Sequence, residues 1–248
     1  MATPRFYLAI ESDTLNAALE SGNPVTLSAD AAHHAGRALR LRTGEAVTLF
    51  NGDGNEWTGV IAFSKDAATV TLSEKKNPTR ESPLEITLLQ ALVAPEKMDW
   101  IVEKAVELGV AHLVLVPSER SVTKLTEDRA QKRLQKLQSI IVSAAEQCGR
   151  NTLMTIDFTP SLDRALEGTA ADVKLILAPG VSPSRSTFTG KTRFAVAVGA
   201  EGGFTEAEIE KASSYGWAPK LLGPRVMRTE TAGLAAAVWL NTLVGDFV

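Results

Sequence analysis

In the first third of the chain, hydrophobic and polar positions alternate with a period of two. RFYLAI (residues 5–10), AVTLFNG (46–52), EWTGVIAF (56–63) and ATVTLS (68–73) each place apolar side chains on one face of an extended segment, which predicts short strands. Asn51-Gly52-Asp53-Gly54 has the spelling of a tight turn between the second and third strands. Between the first and second, SADAAHHAGRAL predicts one short helix with Ser28 or Asp30 as its cap. Residues 1–74 therefore predict a small barrel or curled sheet.

The pattern then changes. KKNPTRESP, residues 75–83, has two prolines and no apolar residue, and is the best linker in the chain. Beyond it, apolar strands alternate with helices: EITLLQAL, a helix near Lys97–Leu108, HLVLVP, a helix near Glu127–Cys148, then MTIDF, VKLILA and FAVAVG. Met98, Ile101, Val102, Ala105 and Leu108 share one helical stripe, and Leu134, Leu137, Ile141, Ala144 and Cys148 share another. Opposite the second stripe lie Arg129, Lys132, Arg133 and Lys136, either a solvated face or a phosphate-facing one. Strand-helix alternation of this kind predicts a parallel sheet covered by helices, so residues 84–248 form an α/β domain.

Two glycine loops stand out in that domain. In VGAEGGFTEAEI, residues 198–209, the strand FAVAVG runs into a turn, and Thr205 with Glu208 spells a capping box for the next helix. In KLLGPRVMRTETAGLAAAVWL, residues 220–240, a short strand ends at Gly223-Pro224, and a helix with little polar face follows, with Thr229 or Thr231 as its cap. That helix should be buried against the domain or a partner subunit. Together with LILAPG, residues 175–180, the loops would make one pocket from three strand ends, the usual ligand position in an open parallel sheet. Neither GxxxxGK[ST] nor GxGxxG is present, and Glu201 would set negative charge beside a phosphate. A cationic ligand, or one bound through backbone groups, fits better.

Bulk properties narrow the class. The 248 residues, 44% hydrophobic and 22% charged, are ordinary for a globular protein. A net charge of −3 and a pI near 5.7 argue against the diffuse positive field of many small nucleic-acid binders, so any RNA contact must be local. The N-terminus lacks a secretory signal, no apolar run is long enough to span a bilayer, and Cys148 is the single cysteine, so a cytoplasmic protein is expected. His33 and His34 diverge in direction on a helix and His112 is the only other histidine, so no metal site is expected.

Five blocks in order, HHAGRALRLRTGE, KMDWIVEKAVELGV, AAEQCGR, VGAEGGFTEAEI and LLGPRVMRTETA, resemble the RsmE family of 16S ribosomal RNA uridine N3-methyltransferases over nearly the whole chain. The resemblance implies an N-terminal PUA-like RNA-binding β-barrel and a C-terminal SPOUT α/β domain with a deep C-terminal trefoil knot. It implies a homodimer through the C-terminal domain, S-adenosylmethionine held in the knot, and 16S rRNA or the small ribosomal subunit as substrate, methylated in its decoding region. One letter departs from the family: Ala200 stands where proline is common in the glycine turn, which would loosen that loop.

By the resemblance, Leu177, Ala178, Gly199, Glu201, Gly202, Leu222, Gly223, Val226, Met227, Arg228 and Thr229 hold the cofactor. Arg228, Glu230 and Glu201 are the candidates for chemistry: an arginine to stabilise the uracil anion or grip its phosphate, and a carboxylate to accept the N3 proton or orient the arginine. Glu230 could instead cap the last helix and pair with Arg228. Candidates for RNA phosphate are Arg5, Arg37, Arg40 and Arg42 in the first domain and Lys132, Arg133 and Arg150 in the second, with Arg150 alternatively approaching the cofactor. Cys148 lies on an apolar stripe and reads as a core thiol rather than a nucleophile. A dinucleotide oxidoreductase would need the GxGxxG fingerprint and lacks it. A non-catalytic RNA-binding or ribosome-assembly protein with a relic pocket would predict degraded loops, whereas GAEGG and RTETAG are nearly intact.

Overall fold

The computed structural model describes residues 3–65, 67–125, 127–180 and 188–247, the side chains of residues 127 and 128 excepted. The chain divides into two compact units, one of Met1–Glu81 with Ala145–Leu153 and one of Ser82–Ala144 with Met154–Val248.

The first unit contains β1 (Arg5–Tyr7), α1 (Ser12–Ser21), β2 (Val25–Thr26), α2 (Ala29–His33), β3 (Ala46–Phe50), β4 (Glu56–Phe63) and β5 (Ala68–Lys76). The strands form one sheet in the order β1-β3-β4-β5-β2, with β1 parallel to β3 and the other pairs antiparallel. Period-two alternation sends Val47, Leu49, Trp57, Ile61 and Val70 inward, where they bury against Leu15 of α1. Ser28 caps α2 by accepting from the Ala31 N–H at 3.2 Å. The helix then widens into a π-helical turn, His34–Ala38, and Arg40 closes it at φ 54°.

The polar stretch 75–83 is not a free linker. Lys75 and Lys76 complete β5 opposite Trp57 and Glu56, and Arg80 and Glu81 belong to an ionic network around buried groups. Its centre is the Glu56 carboxylate, which takes Arg5 at 2.5 Å, Arg80 at 2.7 Å and Asn151 at 3.3 Å. Asn151 also accepts from Arg5, and Arg150 pairs with Glu81 at 2.8 Å. These bonds fold residues 145–153 into the first unit, a departure from an uninterrupted second domain over 84–248.

The second unit contains β6 (Glu85–Ala91), α3 (Pro95–Glu107), β7 (His112–Val116), α4 (Glu127–Cys148), β8 (Thr155–Phe158), α5 (Leu162–Gly168), β9 (Val173–Leu177), β10 (Arg193–Val198), α6 (Glu206–Ser214), β11 (Ala218–Lys220) and α7 (Thr229–Val244). The last residues of α4 belong to the first unit. The six strands form a sheet in the order β11-β9-β10-β6-β7-β8, and every neighbouring pair is parallel. From β6 the chain steps outward through β7 to β8, then reappears on the other side of β6 as β9, β10 and β11. The order therefore switches between β6 and β10, which gathers the carboxyl-end loops of β9, β10 and β11 beside the switch point.

From the edge strand β11 the chain returns to α7, which packs on α3, β10 and β6. Its inner face is small: Ala232, Gly233, Ala236 and Ala237 are buried, and a β-carbon on Gly233 would come within 3.0 Å of Leu88. The helix thus lies close against the sheet. It is not buried all round, because Val238 and Leu243 face outward, 39% and 48% exposed.

Candidate active site

The three loops enclose one cleft of about 750 Å³, including the solvent at its open side. Its walls are largely apolar, with Glu201, Lys220, Arg225 and Thr229 as the polar side chains, the usual make-up of a small-molecule site. Every residue expected to hold a cofactor lines it except Arg228. The two glycines that anchor the walls differ. At Gly199 a β-carbon would lie 2.6 Å from the Gly203 carbonyl carbon and 2.8 Å from the Phe204 nitrogen, so the turn itself requires glycine there. At Gly223 a β-carbon would meet nothing within 4 Å. That position faces open space.

Side chains clamp the glycine turn from several directions. Thr229 is not the cap of α7; Arg228 occupies that place without a side-chain bond. Instead the Thr229 hydroxyl is buried, donates to the Gly199 carbonyl at 2.6 Å and accepts from Gln90 Nε2 at 3.0 Å. On the other side, Arg120 donates to the Gly202 carbonyl at 2.8 Å. Thr205 and Glu208 form the expected capping box, and Glu208 also accepts from the Glu119 N–H at 2.8 Å. Ala200 is buried at 3% exposure inside this clamp, so the turn is held without a proline.

The three candidates for chemistry sit in distinct environments. Helix α3 has no side-chain cap of its own, and the Glu201 carboxylate accepts from the Ala94 N–H at its start and from Lys97 Nζ at 2.9 Å. Burial pushes the Glu201 carboxyl up, but the Lys97 hydrogen bond and charge and these backbone donors outweigh it, leaving the group below the usual carboxylate range. The Lys97 ammonium is shifted up by its Glu201 hydrogen bond. Glu230, in the first turn of α7, puts Oε2 3.7 Å from the same Lys97 Nζ. That oxygen is buried and has no hydrogen-bond partner among the described residues. Arg228 is exposed and makes no ion pair among the described residues. The alternative of an Arg228–Glu230 pair is not what forms; Lys97 stands beside Glu230 instead.

The RNA candidates separate by exposure. Arg37, Arg40, Arg42 and Lys132 are exposed. Arg150 is buried and Arg5 partly so, 8% and 11% exposed at the side chain, and they are committed to Glu81 and Glu56, so neither is free to meet phosphate. Arg150 also folds with the first unit rather than lining the cleft. Arg133 is held by Asp99 and the Pro95 carbonyl, both at 2.6 Å. Among the described residues no three His, Cys, Asp or Glu side chains gather as a metal group, and no helix is long and apolar enough to cross a membrane. Cys148 is half-buried on α4.

Gln90, Lys97 and Arg120 carry this site, and sequence reasoning assigned none of them a role. Gln90 had a signal as the one amide in the apolar run EITLLQAL, and Lys97 stood in the KMDW block. Arg120 lies in an irregular segment after β7 with no pattern to mark it.

Known proteins match this arrangement over its full length. The family model described as an RNA methyltransferase domain covers residues 80–241, and that of an RNA methyltransferase PUA domain covers residues 27–73. Ribosomal RNA small subunit methyltransferase E of Buchnera aphidicola is 29% identical over 98% of this chain and 95% of its own. A Legionella pneumophila protein solved in complex with bound SAM superposes with a TM-score of 0.89 at 35% identity, over 100% of both chains. The ribosomal RNA small subunit methyltransferase E of Neisseria gonorrhoeae, bound to S-adenosyl methionine, gives 0.87 at 35% identity, again over 100% of both. With the two family models side by side and relatives aligned end to end, the chain belongs to the ribosomal RNA small subunit methyltransferase E family.

Proposed function

We propose that this protein is an S-adenosylmethionine-dependent methyltransferase acting on N3 of one uridine in the decoding region of 16S rRNA. The observation that carries the reading is the cleft shared by three parallel strand ends, in a chain that matches cofactor-bound relatives from end to end. The residues present fit the cofactor. Apolar walls at Leu177, Ala178, Leu222 and Met227 suit an adenine, Gly223 leaves room, and neither a P-loop lysine nor a dinucleotide fingerprint is present to suggest a phosphate ligand.

When bound, S-adenosylmethionine supplies a methyl group whose bond to sulfur breaks, the electron pair staying on sulfur, as the bond to N3 forms. The chain must orient the uracil and remove the N3 proton. Glu230 is the acceptor the geometry favours, because its Oε2 is buried without a hydrogen bond while Glu201 is engaged at the start of α3. Arg228, exposed and unpaired among the described residues, stabilises the uracil anion or its phosphate. Arg37, Arg40 and Arg42 of the PUA-like unit and Lys132 of the SPOUT unit contact the RNA backbone.

Two architectural readings accompany this. The return of the chain from edge strand β11 to α7 supports a trefoil knot around the cofactor. The outward Val238 and Leu243 of α7, with Trp100 of α3 at 52% exposure, support a homodimer through this unit. Light scattering should give twice the 26.5 kDa chain mass, and Leu243→Glu should halve it.

The functional test is depletion of the protein followed by mapping of uridine N3-methylation on small-subunit RNA. The mark should vanish, return with the wild-type protein and stay absent with Arg228→Ala. Persistence of the mark without the protein would refute the reading. Cofactor binding with no methylation of any small-subunit RNA would favour a relic pocket instead.

A further inference from the structure

Lys97 is a charged group beside the cleft-lining Glu201 that the mechanism above leaves unused. It stands in the first turn of α3, and its Nζ lies 2.9 Å from Glu201 Oε1 and 3.7 Å from Glu230 Oε2. Four charged groups gather here: Lys97 from α3, Glu201 from the turn after β10, Glu230 from α7, and Arg228 at the start of α7, whose like positive charge repels that of Lys97. Two carboxylates beside a reaction that builds negative charge on uracil are unfavourable unless one is neutralised. The ammonium group is placed to do this, with its shorter contact on Glu201.

We propose that Lys97 is a positioning residue for methyl transfer: its ammonium group pins and neutralises Glu201, leaving Glu230 as the one carboxylate that takes the uracil N3 proton. The inference rests on the N3-methyltransferase reading. In the step it serves, the N3–H bond breaks, its proton passes to Glu230 Oε2, and the N3 electron pair forms the bond to the methyl carbon. The carboxylic acid then releases its proton to solvent. Lys97 keeps its own three protons throughout, because its contacts favour the charged form. A lysine acting as the proton acceptor would need the opposite environment.

The experiment compares wild type, Lys97→Met and Lys97→Arg as full-length protein. Single-turnover methylation of small-subunit RNA is followed against pH, S-adenosylmethionine affinity is measured by calorimetry, and the Glu201 carboxyl is titrated by carbon NMR without cofactor. Lys97→Met should slow the single turnover by about 10- to 100-fold. It should leave cofactor affinity within about twofold and move the acid limb of the rate profile to higher pH by about one unit. The Glu201 titration should rise toward the ordinary carboxylate range in Lys97→Met, and Lys97→Arg should restore both readouts. An unmoved acid limb in Lys97→Met overturns the proposal. So does a loss of cofactor affinity that accounts for the whole rate loss, which would make Lys97 part of the pocket wall. If the wild type methylates no small-subunit RNA, the functional reading falls and this inference with it, an outcome distinct from active wild type with an unmoved profile.

Discussion

Replacing Gly223 and Gly199 separates the cleft as a ligand seat from the turn as a piece of packing. A β-carbon at Gly199 would stand 2.6 Å and 2.8 Å from the Gly203 carbonyl carbon and Cα and 2.8 Å from the Phe204 nitrogen, all backbone atoms. Carbon atoms rest near 3.5–4.0 Å from one another, so Gly199→Ala must open the turn by about 1 Å. Overpacking of this kind costs about 1–3 kcal/mol, and backbone neighbours cannot rotate away as a side chain would. Thermal or urea unfolding should therefore register Gly199→Ala as destabilised, with cofactor affinity falling too. Gly223 has nothing within 4 Å of its β-carbon, so Gly223→Leu should change stability by about 0.5 kcal/mol or less. The leucine nonetheless occupies space at a wall of the cleft. Calorimetry with S-adenosylmethionine should show affinity reduced roughly 100-fold or more, about 3 kcal/mol. Wild-type affinity in Gly223→Leu would refute the cleft as the cofactor seat, and unchanged stability in Gly199→Ala would refute the close packing of the turn.

Other perturbations test the supporting structure. Burial pushes the Glu56 carboxyl up, but hydrogen bonds from Arg80 and Arg5 and their charges bring it down from 4.5 to about 2. Its stabilisation is therefore full above about pH 4.5 and is lost as pH falls through about 2. Glu56→Gln should cost about 3 kcal/mol at pH 7, with the gap to wild type closing between those two pH values; the folded Trp57 indole NMR signal in urea reports this for the first unit alone. Arg40 is the one described non-glycine residue at positive φ, so Arg40→Gly should stabilise the fold by about 1 kcal/mol. The same change should weaken RNA binding and lower its salt slope by about 1, measured by fluorescence anisotropy across salt concentrations. Thr229→Val removes the donor to Gly199 and the acceptor for Gln90, and should cost about 1–3 kcal/mol of stability by urea unfolding.

Periodicity made the sheet legible and left the site's supports obscure. β4 matches EWTGVIAF residue for residue, and the capping box at Thr205 and Glu208 forms as spelled. Local signals sufficed there because each is satisfied within a few residues. Helix α1 is weakly marked in the sequence: Leu15, Ala18 and Leu19 share a stripe and Gly22 ends it, but so short a 3.6 period is hard to tell from its strand-forming surroundings. Thr229 looked like a cap because threonine before an apolar helix usually is one; the Gly199 carbonyl, thirty residues away in sequence, claims its hydroxyl instead. Arg5 and Arg150 looked like phosphate contacts because nothing local predicts partners 51 and 69 residues away. The place of Lys97 between two carboxylates follows from α3, β10 and α7 meeting, a fact of topology that no single segment contains.

The return of residues 145–153 to the first unit has an evolutionary corollary. Trading the RNA-reading module of such an enzyme by one crossover near residue 83 would carry away Glu56, Arg5 and Arg80 but leave Asn151 and Arg150 behind. The recombinant would keep the buried Arg150 and Asn151 without Glu81 and Glu56, and selection would meet a destabilised fold before it met a new specificity. The two modules are thereby obliged to diversify together, by substitution within the chain rather than by shuffling of its parts.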